Sequence, residues 1–322
     1  MSARDTRTTR AAVRSRIGAP RPFGVAALWL AALCAAASVA CERETGASDL
    51  PSLPVERLSF VPAARVALSS GWWVGNDTAL LVSRFEVTRG EWRAWYLARG
   101  EGADPEARAR VEAWERSSDS WPAASLSLVE ARAYAHEQGL RLLGWREWLR
   151  VACGSAAALY PWGPNDAASV ANTLELGLRL PTSVGTFEQG RAPLGIYDLV
   201  GNVWEWVEDS PDRNEPFAWA MGGSYLTLRR PLFDPRGDAQ GTLHLALDPD
   251  GRSIEVGVRL CAEARPWLEA HGNELSGAPE AERRLTAVGR RWGSAAAPLL
   301  EELAAAHPGE RAFGWLLGGA RR

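Results

Sequence analysis

The stretch from residue 154 to residue 256 has almost no helical periodicity, and this feature limits the possible folds more than any other. Loops without regular structure are short in most compact domains, so a stretch of this length must be stabilised by side chains. The chain has 31 Gly, 20 Pro and 16 Trp. Gly and Pro interrupt regular elements, whereas Trp fills large irregular spaces. The sequence therefore predicts a loop-rich domain held together by aromatic side chains, and it argues against long helical bundles.

The chain contains no lysine, because all 36 basic residues are arginine. This excludes reactions that need a lysine amine, namely Schiff-base formation and general-base catalysis by lysine. It also excludes the phosphate-binding lysine of a P-loop.

The first forty residues have the composition of a secretory signal. Residues 1–21 contain six Arg and one acidic residue, and residues 22–40 form an uncharged apolar run that ends in small residues. Cys41 follows Ser-Val-Ala, which resembles the bacterial lipobox, whose cysteine is diacylated before the leader is removed. The alternative is an uncleaved anchor, because an apolar run of this length can just span a bilayer. We expect an exported, membrane-anchored lipoprotein that faces the periplasm or the cell exterior.

The chain without its leader is acidic. Removing residues 1–40 takes away six of the 36 arginines and one of the 39 acidic residues, which leaves a net charge of −8. A surface of this sign repels phosphate backbones, so nucleic acid is not expected as a partner. Residues 41–56 are polar and without periodicity, which is typical of a tether between a lipid and a folded domain.

Two cysteines, Cys153 and Cys261, lie outside the leader and the lipid-attachment position. In an oxidising compartment two leftover cysteines most often pair, so we expect a disulfide between them. The alternative is two buried thiols that pack as small apolar groups.

Several regular elements are predicted before residue 154. Short Val, Leu and Phe runs predict strands within 57–68 and 80–88. Apolar spacing and capping residues predict helices over 89–98, from Pro105 to residue 116, over 127–138 and over 145–153. The helix that begins at Pro105 is highly charged, and we expect it to be a solvated surface insertion.

Eight short blocks occur in an order that resembles the formylglycine-generating enzyme (sulfatase-modifying factor) family. The most specific block is LGIYDLVGNVWEWVED at 194–209, which is similar to the family's GLYDMxGNVWEW. The others are FEVTRGEW at 85–92, SLSLVEARAYA at 125–135, LRLLGWREW at 140–148, YPWG at 160–163, AN at 171–172, GGSY at 222–225 and GVRL at 257–260. The resemblance covers residues 57–262 and implies an α+β domain with an irregular C-type-lectin-like fold and little regular secondary structure.

A helical C-terminal extension is predicted for residues 263–322, outside the resemblance. This segment is rich in Ala, Leu, Glu and Arg. Ser294 can cap a helix that carries Leu299, Leu300 and Leu303 on one side and ends before Pro308. The apolar side fits packing on the domain and docking of a partner equally well.

Family enzymes oxidise a substrate cysteine to formylglycine with copper(I) held by two thiolates. The resemblance places those two positions at Thr227 and Leu232. Copper(I) prefers soft thiolate ligands, which neither side chain offers. We therefore expect that copper-dependent oxidation has been lost and that copper is not a cofactor. Ser224 matches the serine that lies beside the copper in the family and is the one catalytic candidate, with the alternative that its hydroxyl closes a tight glycine-rich turn.

The resemblance also implies a structural calcium site at the GNVWEW block. Carboxylates at the two ends and backbone carbonyls between them would provide the ligands, at Asp198, Leu199, Gly201, Val203 and Glu205. The alternative is that the two carboxylates accept only N–H groups of the loop. A second family site begins at Asn172, where the following loop offers only Glu175 as a further acidic ligand.

Two other features of the family have weaker counterparts. Iron-dependent relatives use a histidine cluster, but the histidines here have no HxH or HxxxH spacing, so an iron site is not expected; they are His136, His244, His271 and His307. In the family the matching region helps to line a peptide groove, which makes Trp162, Trp204 and Trp206 groove candidates. Core packing is the favoured alternative for these three side chains.

Two functional hypotheses follow, and the sequence leaves open whether the chain is an enzyme. The first is an exported lipoprotein whose domain is a non-catalytic binding or assembly module of the cell envelope, with a protein or peptide partner. The second is an oxidoreductase of the same superfamily, of the formylglycine-generating or non-haem iron type, that acts on a protein or small-molecule thiol.

Overall fold

A computed structural model describes residues 54–68, 71–99, 105–114, 117–167, 169–210, 216–234 and 243–322. These residues belong to one compact unit that spans Pro51–Arg322. The predicted signal segment, Cys41 and nearly all of the tether lie outside the described residues. Within the described ranges, no helix combines the length and the apolar character needed to cross a membrane.

An antiparallel sheet joins the two ends of the family-like region. Its strand order is β1 (Leu58–Val61), β4 (Leu80–Ser83), β10 (Leu260–Glu263) and β5 (Arg141–Leu142). Strands β1 and β4 are the predicted apolar runs, and most of their side chains are buried. A separate hairpin is formed by β2 (Ala64–Ala67) and β3 (Trp73–Asn76).

A second sheet brings three of the sequence blocks together. Its order is β8 (His244–Leu247), β7 (Ala218–Met221), β6 (Trp204–Trp206) and β9 (Val256–Val258). Glu205 on β6 lies opposite Met221 in an antiparallel pair and opposite Gly257 in a parallel pair. The GNVWEW block therefore sits between the GGSY block and the GVRL block.

Among the residues described before position 154, four α-helices are present, and the sequence predicts most of their ends. They are α1 (Arg89–Ala98), α2 (Pro105–Trp114), α3 (Leu128–Glu137) and α4 (Trp145–Cys153). Thr88 and Ser127 form capping boxes with Glu91 and Glu130, which fixes the starts of α1 and α3.

Helix α2 corrects the expectation of a solvated insertion. Its residues Ala107, Val111 and Trp114 are buried in the main core. Arg110 is also buried and forms an ion pair with Glu130 at the start of α3. A charge that is paired in this way can be buried, so the charged composition of the segment did not imply exposure of the whole helix.

The described part of the stretch from 154 to 256 has little regular structure, as expected. It contains 3-10 turns at Leu174–Leu176 and Glu188–Gly190, together with strands β6, β7 and β8. These three strands have at most four residues each and cannot stabilise such a stretch alone, so side-chain hydrogen bonds must position the loops between them.

The C-terminal extension is helical, as predicted. It consists of α5 (Ala264–Gly277), α6 (Ala281–Trp292), α7 (Ala297–Ala306) and α8 (Arg311–Ala320). Its apolar side chains form a core with β1 and β4, and Trp292 donates a hydrogen bond to the Leu58 carbonyl at 2.9 Å. The apolar side of α7, with Leu300 and Leu303, faces this core.

The predicted disulfide is not formed, because Cys153 and Cys261 are both free and buried. The Cys153 thiol donates to the Gly154 carbonyl at 3.6 Å, within the turn that ends α4. The Cys261 thiol lies on β10 and donates to the Leu142 carbonyl of the neighbouring strand at 3.5 Å. The two thiols thus bond to different local partners, which agrees with the alternative of buried apolar thiols.

Candidate functional site

A buried ion pair lies among the sequence blocks that carry the family resemblance. Glu205 on β6 and Arg259, between β9 and β10, are each 1% exposed and lie 2.6 Å apart. Arg259 also donates to the carbonyls of Ser83 at 2.9 Å and Tyr197 at 2.7 Å. Trp148 on α4 donates its indole N–H to the same carboxylate at 2.7 Å. One guanidinium therefore connects both sheets, and one carboxylate connects them to α4.

Two further carboxylates are buried near this pair. Glu86, which follows β4, is 0% exposed, and Asp198 in the GNVWEW block is 8% exposed. Burial, with the neighbouring charge of Asp198, raises the pKa of Glu86 well above its usual range. Burial also raises the pKa of Asp198 to about 6. Three buried carboxyl groups thus lie near the guanidinium of Arg259, and burial favours the neutral form of Glu86.

Asn202 connects the loops around this cluster. Its amide Nδ2 donates to the Glu86 carboxylate at 3.2 Å, and its Oδ1 accepts from the Thr182 backbone N–H at 2.9 Å and from Asn172 at 3.2 Å. Asn202 has φ 60°, a left-handed conformation that Asn tolerates better than most residues. The neighbouring Gly201 has φ 85°, and a Cβ there would lie 2.4 Å from the Asn172 carbonyl oxygen. These contacts explain how the AN block and the GNVWEW block hold an irregular loop in one conformation.

The predicted calcium ligands do not fit a calcium ion held jointly by Asp198 and Glu205. Both oxygens of Glu205 already accept hydrogen bonds, from Arg259 and Trp148. Asp198 accepts the backbone N–H of Gly185 at 2.6 Å. Among the described residues, no group of three or more His, Cys, Asp or Glu side chains is arranged to hold a metal ion. At the second family position, the Oδ1 of Asn172 is buried without a hydrogen-bond partner in the described part of the chain.

The two positions that match copper ligands lie in a turn and in the core. Leu232 is 0% exposed and belongs to the main core, and its backbone N–H donates to the Leu159 carbonyl at 2.8 Å. The Thr227 hydroxyl accepts the backbone N–H of Ser224 at 3.1 Å. Neither side chain offers a soft ligand, as the sequence predicts.

Ser224 is placed as expected for a hydroxyl that closes a tight turn, which is the alternative to a catalytic role. It is 0% exposed, and its hydroxyl donates to the carboxylate of Glu255 and accepts the backbone N–H of Leu226 at 3.1 Å. A nucleophile must be reachable by its substrate, whereas this hydroxyl is enclosed and closes a turn with Thr227.

The aromatic candidates divide into core and surface residues. Trp204 and Trp206 are buried, and Trp206 donates to the Leu126 carbonyl at 2.8 Å, so both are core side chains. Trp162 is half-buried and stacks on Tyr160 at 5.1 Å between ring centroids. These three tryptophans therefore do not form one groove wall.

The four histidines lie on separate elements. His136 is exposed on α3, and His307 follows α7. His244 on β8 stacks on Trp219 at 3.7 Å, and His271 on α5 stacks on Trp267 at 4.1 Å. Within the described residues, the four histidines thus belong to different parts of the fold.

Three charged residues at this site were not singled out from the sequence: Glu86, Glu255 and Arg259. The sequence did contain a signal for two of them, namely a charged residue between apolar neighbours. Such a residue is expected to be buried, and a buried charge needs a partner. Glu86 stands between Phe85 and Val87, and Arg259 between Val258 and Leu260. Glu255 follows the exposed Ile254 and has no comparable signal.

The chain is similar to proteins of one known family. The family profile of the sulfatase-modifying factor enzyme 1-like domain matches residues 76–264. A hercynine oxygenase of Mycolicibacterium thermoresistibile is 30% identical over 230 residues, which cover 56% of this chain and 50% of that protein. The inactive C-alpha-formylglycine-generating enzyme 2 of Bos taurus is 28% identical over 161 residues, which cover 46% of this chain and 52% of that protein. The chain thus spans about half the length of these curated relatives.

A solved structure shows the same fold. PvdO from Pseudomonas aeruginosa superposes with a TM-score of 0.51 at 19% sequence identity, and the match covers 67% of this chain and 100% of that one. The irregular α+β architecture expected from the sequence blocks is therefore confirmed.

Proposed function

Because this chain belongs to the sulfatase-modifying factor enzyme 1-like family, whose profile covers more than half of it, we propose that its domain is a non-catalytic binding or assembly module. We further propose that the chain is an exported lipoprotein and that the module acts at the cell envelope, with a protein or peptide as its partner.

One observation carries the non-catalytic part of the proposal. Leu232 occupies a copper-ligand position with a fully buried aliphatic side chain, and Thr227 occupies the other with a hydroxyl inside a hydrogen-bonded turn. A site for copper(I) needs two soft donors that converge on one point, and these side chains provide none. The similarity to a relative that is named as an inactive formylglycine-generating enzyme is in line with this reading.

The surroundings of Ser224 support the same conclusion. Both the hydroxyl and the backbone N–H of Ser224 are used within the turn, and Glu255 holds the hydroxyl from the other side. An enclosed hydroxyl at this position supports a non-catalytic module, because a substrate would have to reach it.

Export and anchoring rest on the composition of residues 1–40 and on Cys41. They are tested by expression in a bacterial host, where a lipidated chain partitions with the membrane and its Cys41→Ser variant does not. Release of the wild-type chain into the soluble fraction would contradict the anchor.

The alternative function is that of an oxidoreductase, and the similarity to hercynine oxygenase favours it. Metal content distinguishes the two proposals. Stoichiometric copper or iron in the protein as purified supports an oxidoreductase, whereas their absence supports the module.

The direct test uses a peptide with the CxPxR motif of sulfatases, incubated with the full chain, copper and a thiol reductant. A copper-loaded formylglycine-generating oxidase serves as the positive control on the same peptide. We expect no aldehyde above the level of the peptide with copper and reductant alone. Aldehyde formation that requires the chain would overturn the non-catalytic proposal.

A further inference from the structure

A cationic groove lies on the C-terminal helices, outside the part of the chain that matches the family. It has a volume of about 970 Å³ and lies between α6, α8 and the segment that joins α5 to α6. Its arginine side chains come from both helices and from the end of the chain: Arg283, Arg290, Arg311 and Arg322. The aromatic ring of Trp315 on α8 forms part of the wall.

The sequence of α6 separates its arginines onto two faces. They occur as two adjacent pairs, 283–284 and 290–291, which are seven residues or two helical turns apart. The second member of each pair faces the domain, where Arg284 binds the carboxylate of Glu56 and Arg291 donates to the Glu56 carbonyl. The first member of each pair lines the groove. One face of α6 therefore anchors the helix, and the next face presents charge to the groove.

Close backbone packing brings the arginines of α6 and α8 together. A Cβ on Gly289 would lie 1.9 Å from the Leu316 carbonyl oxygen, and a Cβ on Gly319 would lie 2.8 Å from the Arg290 nitrogen. Arg322 follows Gly319 by three residues, and its N–H donates to the Gly319 carbonyl at 3.1 Å. Arg290 and Arg322 thus flank the point of closest approach. Only glycine at these two positions allows the helices to come this near.

On α8, Arg311 and Trp315 are one turn apart. The guanidinium carbon of Arg311 lies 5.2 Å from the centroid of the Trp315 ring. Such a cation–π contact orients the guanidinium without neutralising its charge.

The groove has more positive than negative charge. Arg283 forms an ion pair with Glu280 at the rim. Within the described part of the chain, no ion pair joins Arg290, Arg311 or Arg322 to a carboxylate, and Glu282 is the acidic side chain of the lining besides Glu280. An unpaired cluster of this kind stands out in a chain whose net charge is −3. Electrostatics therefore favours an anionic occupant.

We propose that this groove binds a phosphate-bearing ligand through Arg290, Arg311 and Arg322, with Trp315 against its organic part. Guanidinium groups match phosphate oxygens with paired hydrogen bonds. Three of them provide more donors than the two oxygens of a single carboxylate can accept, which favours phosphate over a carboxylic acid. The volume lies in the range of small-molecule sites, roughly 300–1,000 Å³. The ligand is either a soluble phosphate ester or the phosphate of a lipid headgroup, and this assignment is independent of whether the domain is catalytic.

The test is isothermal titration of the full chain in a non-ionic detergent. The two probes are pyrophosphate and a monomeric short-chain phosphatidylglycerol. We expect one saturable site, and we expect Arg290→Gln and Arg311→Gln each to weaken binding about tenfold, because a charge-assisted hydrogen bond contributes about 1.5 kcal/mol or more. Glu282→Gln removes a negative charge from the groove and should strengthen binding several-fold, a gain that loss of folding cannot mimic.

The matched control is the double variant Arg65→Gln and Arg108→Gln, which removes two exposed arginines that pair elsewhere. Its affinity should equal that of the wild type. Binding of pyrophosphate alone shows recognition of a soluble phosphate group, and binding of the lipid alone shows recognition of a lipid headgroup. Binding of neither probe overturns the proposal, and so does equal weakening by the control variant.

Discussion

Arg259 donates three hydrogen bonds to the carboxylate of Glu205, at 2.6–3.1 Å, across 54 positions of the chain. Both side chains are 1% exposed, so each would have an unpaired buried charge without the other. A buried pair gains little over an apolar pair of the same shape, but the loss of one member alone is costly. We therefore expect the stability of the whole domain to depend on this interaction, because it joins the GNVWEW block to the GVRL block.

We expect Arg259→Met to lower the free energy of unfolding by about 3–5 kcal/mol, because it leaves the carboxylates of Glu205 and Asp198 buried without a cation. Urea unfolding at neutral pH measures the change. Asp77→Asn is the control, since it breaks a pair with Arg65 whose side chains are 69% and 75% exposed, and it should cost less than about 1 kcal/mol. Similar losses for the two variants would show that the buried pair has no special role.

The same pair leads to a prediction about calcium. Since Arg259 occupies the carboxylate of Glu205, we expect neither a chelator nor added calcium to change the melting temperature. A ligand that binds the folded state alone must raise that temperature, so thermal unfolding with and without calcium measures the interaction. A calcium-dependent rise that disappears in Asp198→Ala would restore the calcium site expected from the GNVWEW block.

Local signals explain which parts of the fold the sequence predicts. The starts of α1 and α3 follow from capping boxes that span four residues, and the irregular loops follow from the lack of periodicity. The ion-pair partner of Glu205 could not be predicted from a local signal, because the pairing depends on the order of strands in a sheet. The disulfide prediction was wrong because an oxidising compartment joins only thiols that meet in space, and the sequence does not show the spatial neighbours of Cys153 and Cys261.

The position of Leu232 predicts a stability effect that a metal-lining residue would not show. Leu232 is 0% exposed, and Leu232→Ala should lower the free energy of unfolding by about 2–5 kcal/mol through lost burial and a new cavity. Leu228, four residues earlier and 52% exposed, is the matched control, and its alanine variant should cost well under about 1 kcal/mol. Urea unfolding compares the two. If Leu232→Ala were as mild as the control, this position would have to line an open cavity.

The buried thiols should be chemically inert in the folded chain. Burial raises the pKa of Cys153 to about 11 and also raises the pKa of Cys261. We therefore expect iodoacetamide at pH 8 to label neither residue until urea is added, since the thiolate is the reactive form. Peptide mapping by mass spectrometry reports each site separately from Cys34 and Cys41.

The same shift gives a pH dependence with a definite sign. The unfolded chain loses the Cys153 proton near its ordinary pKa of about 9, whereas the folded chain keeps it up to about 11. The contribution of Cys153 to stability is thus fully present below pH 9 and is lost as the pH rises through this window. Denaturant titrations at successive pH values, with Cys153→Ala as the control, measure the slope. Rapid labelling at pH 8, or a native disulfide between the two cysteines, would contradict this account.

The contact between α6 and α8 predicts opposite effects for two glycine substitutions. Gly289→Ala would place a Cβ 1.9 Å from the Leu316 carbonyl oxygen, so the helices must separate, at a cost of about 1–3 kcal/mol or more. Gly314→Ala on the exposed side of α8 meets no atom within 4 Å and should stabilise the chain by up to about 1 kcal/mol, because alanine is the better helix former. Thermal unfolding of the two variants gives the sign of each change in stability directly.

Gly289→Ala should also weaken phosphate binding in the groove, since it moves Arg290 away from Arg322, whereas Gly314→Ala should leave binding unchanged. A stable Gly289→Ala variant would mean that the two backbones are not in contact.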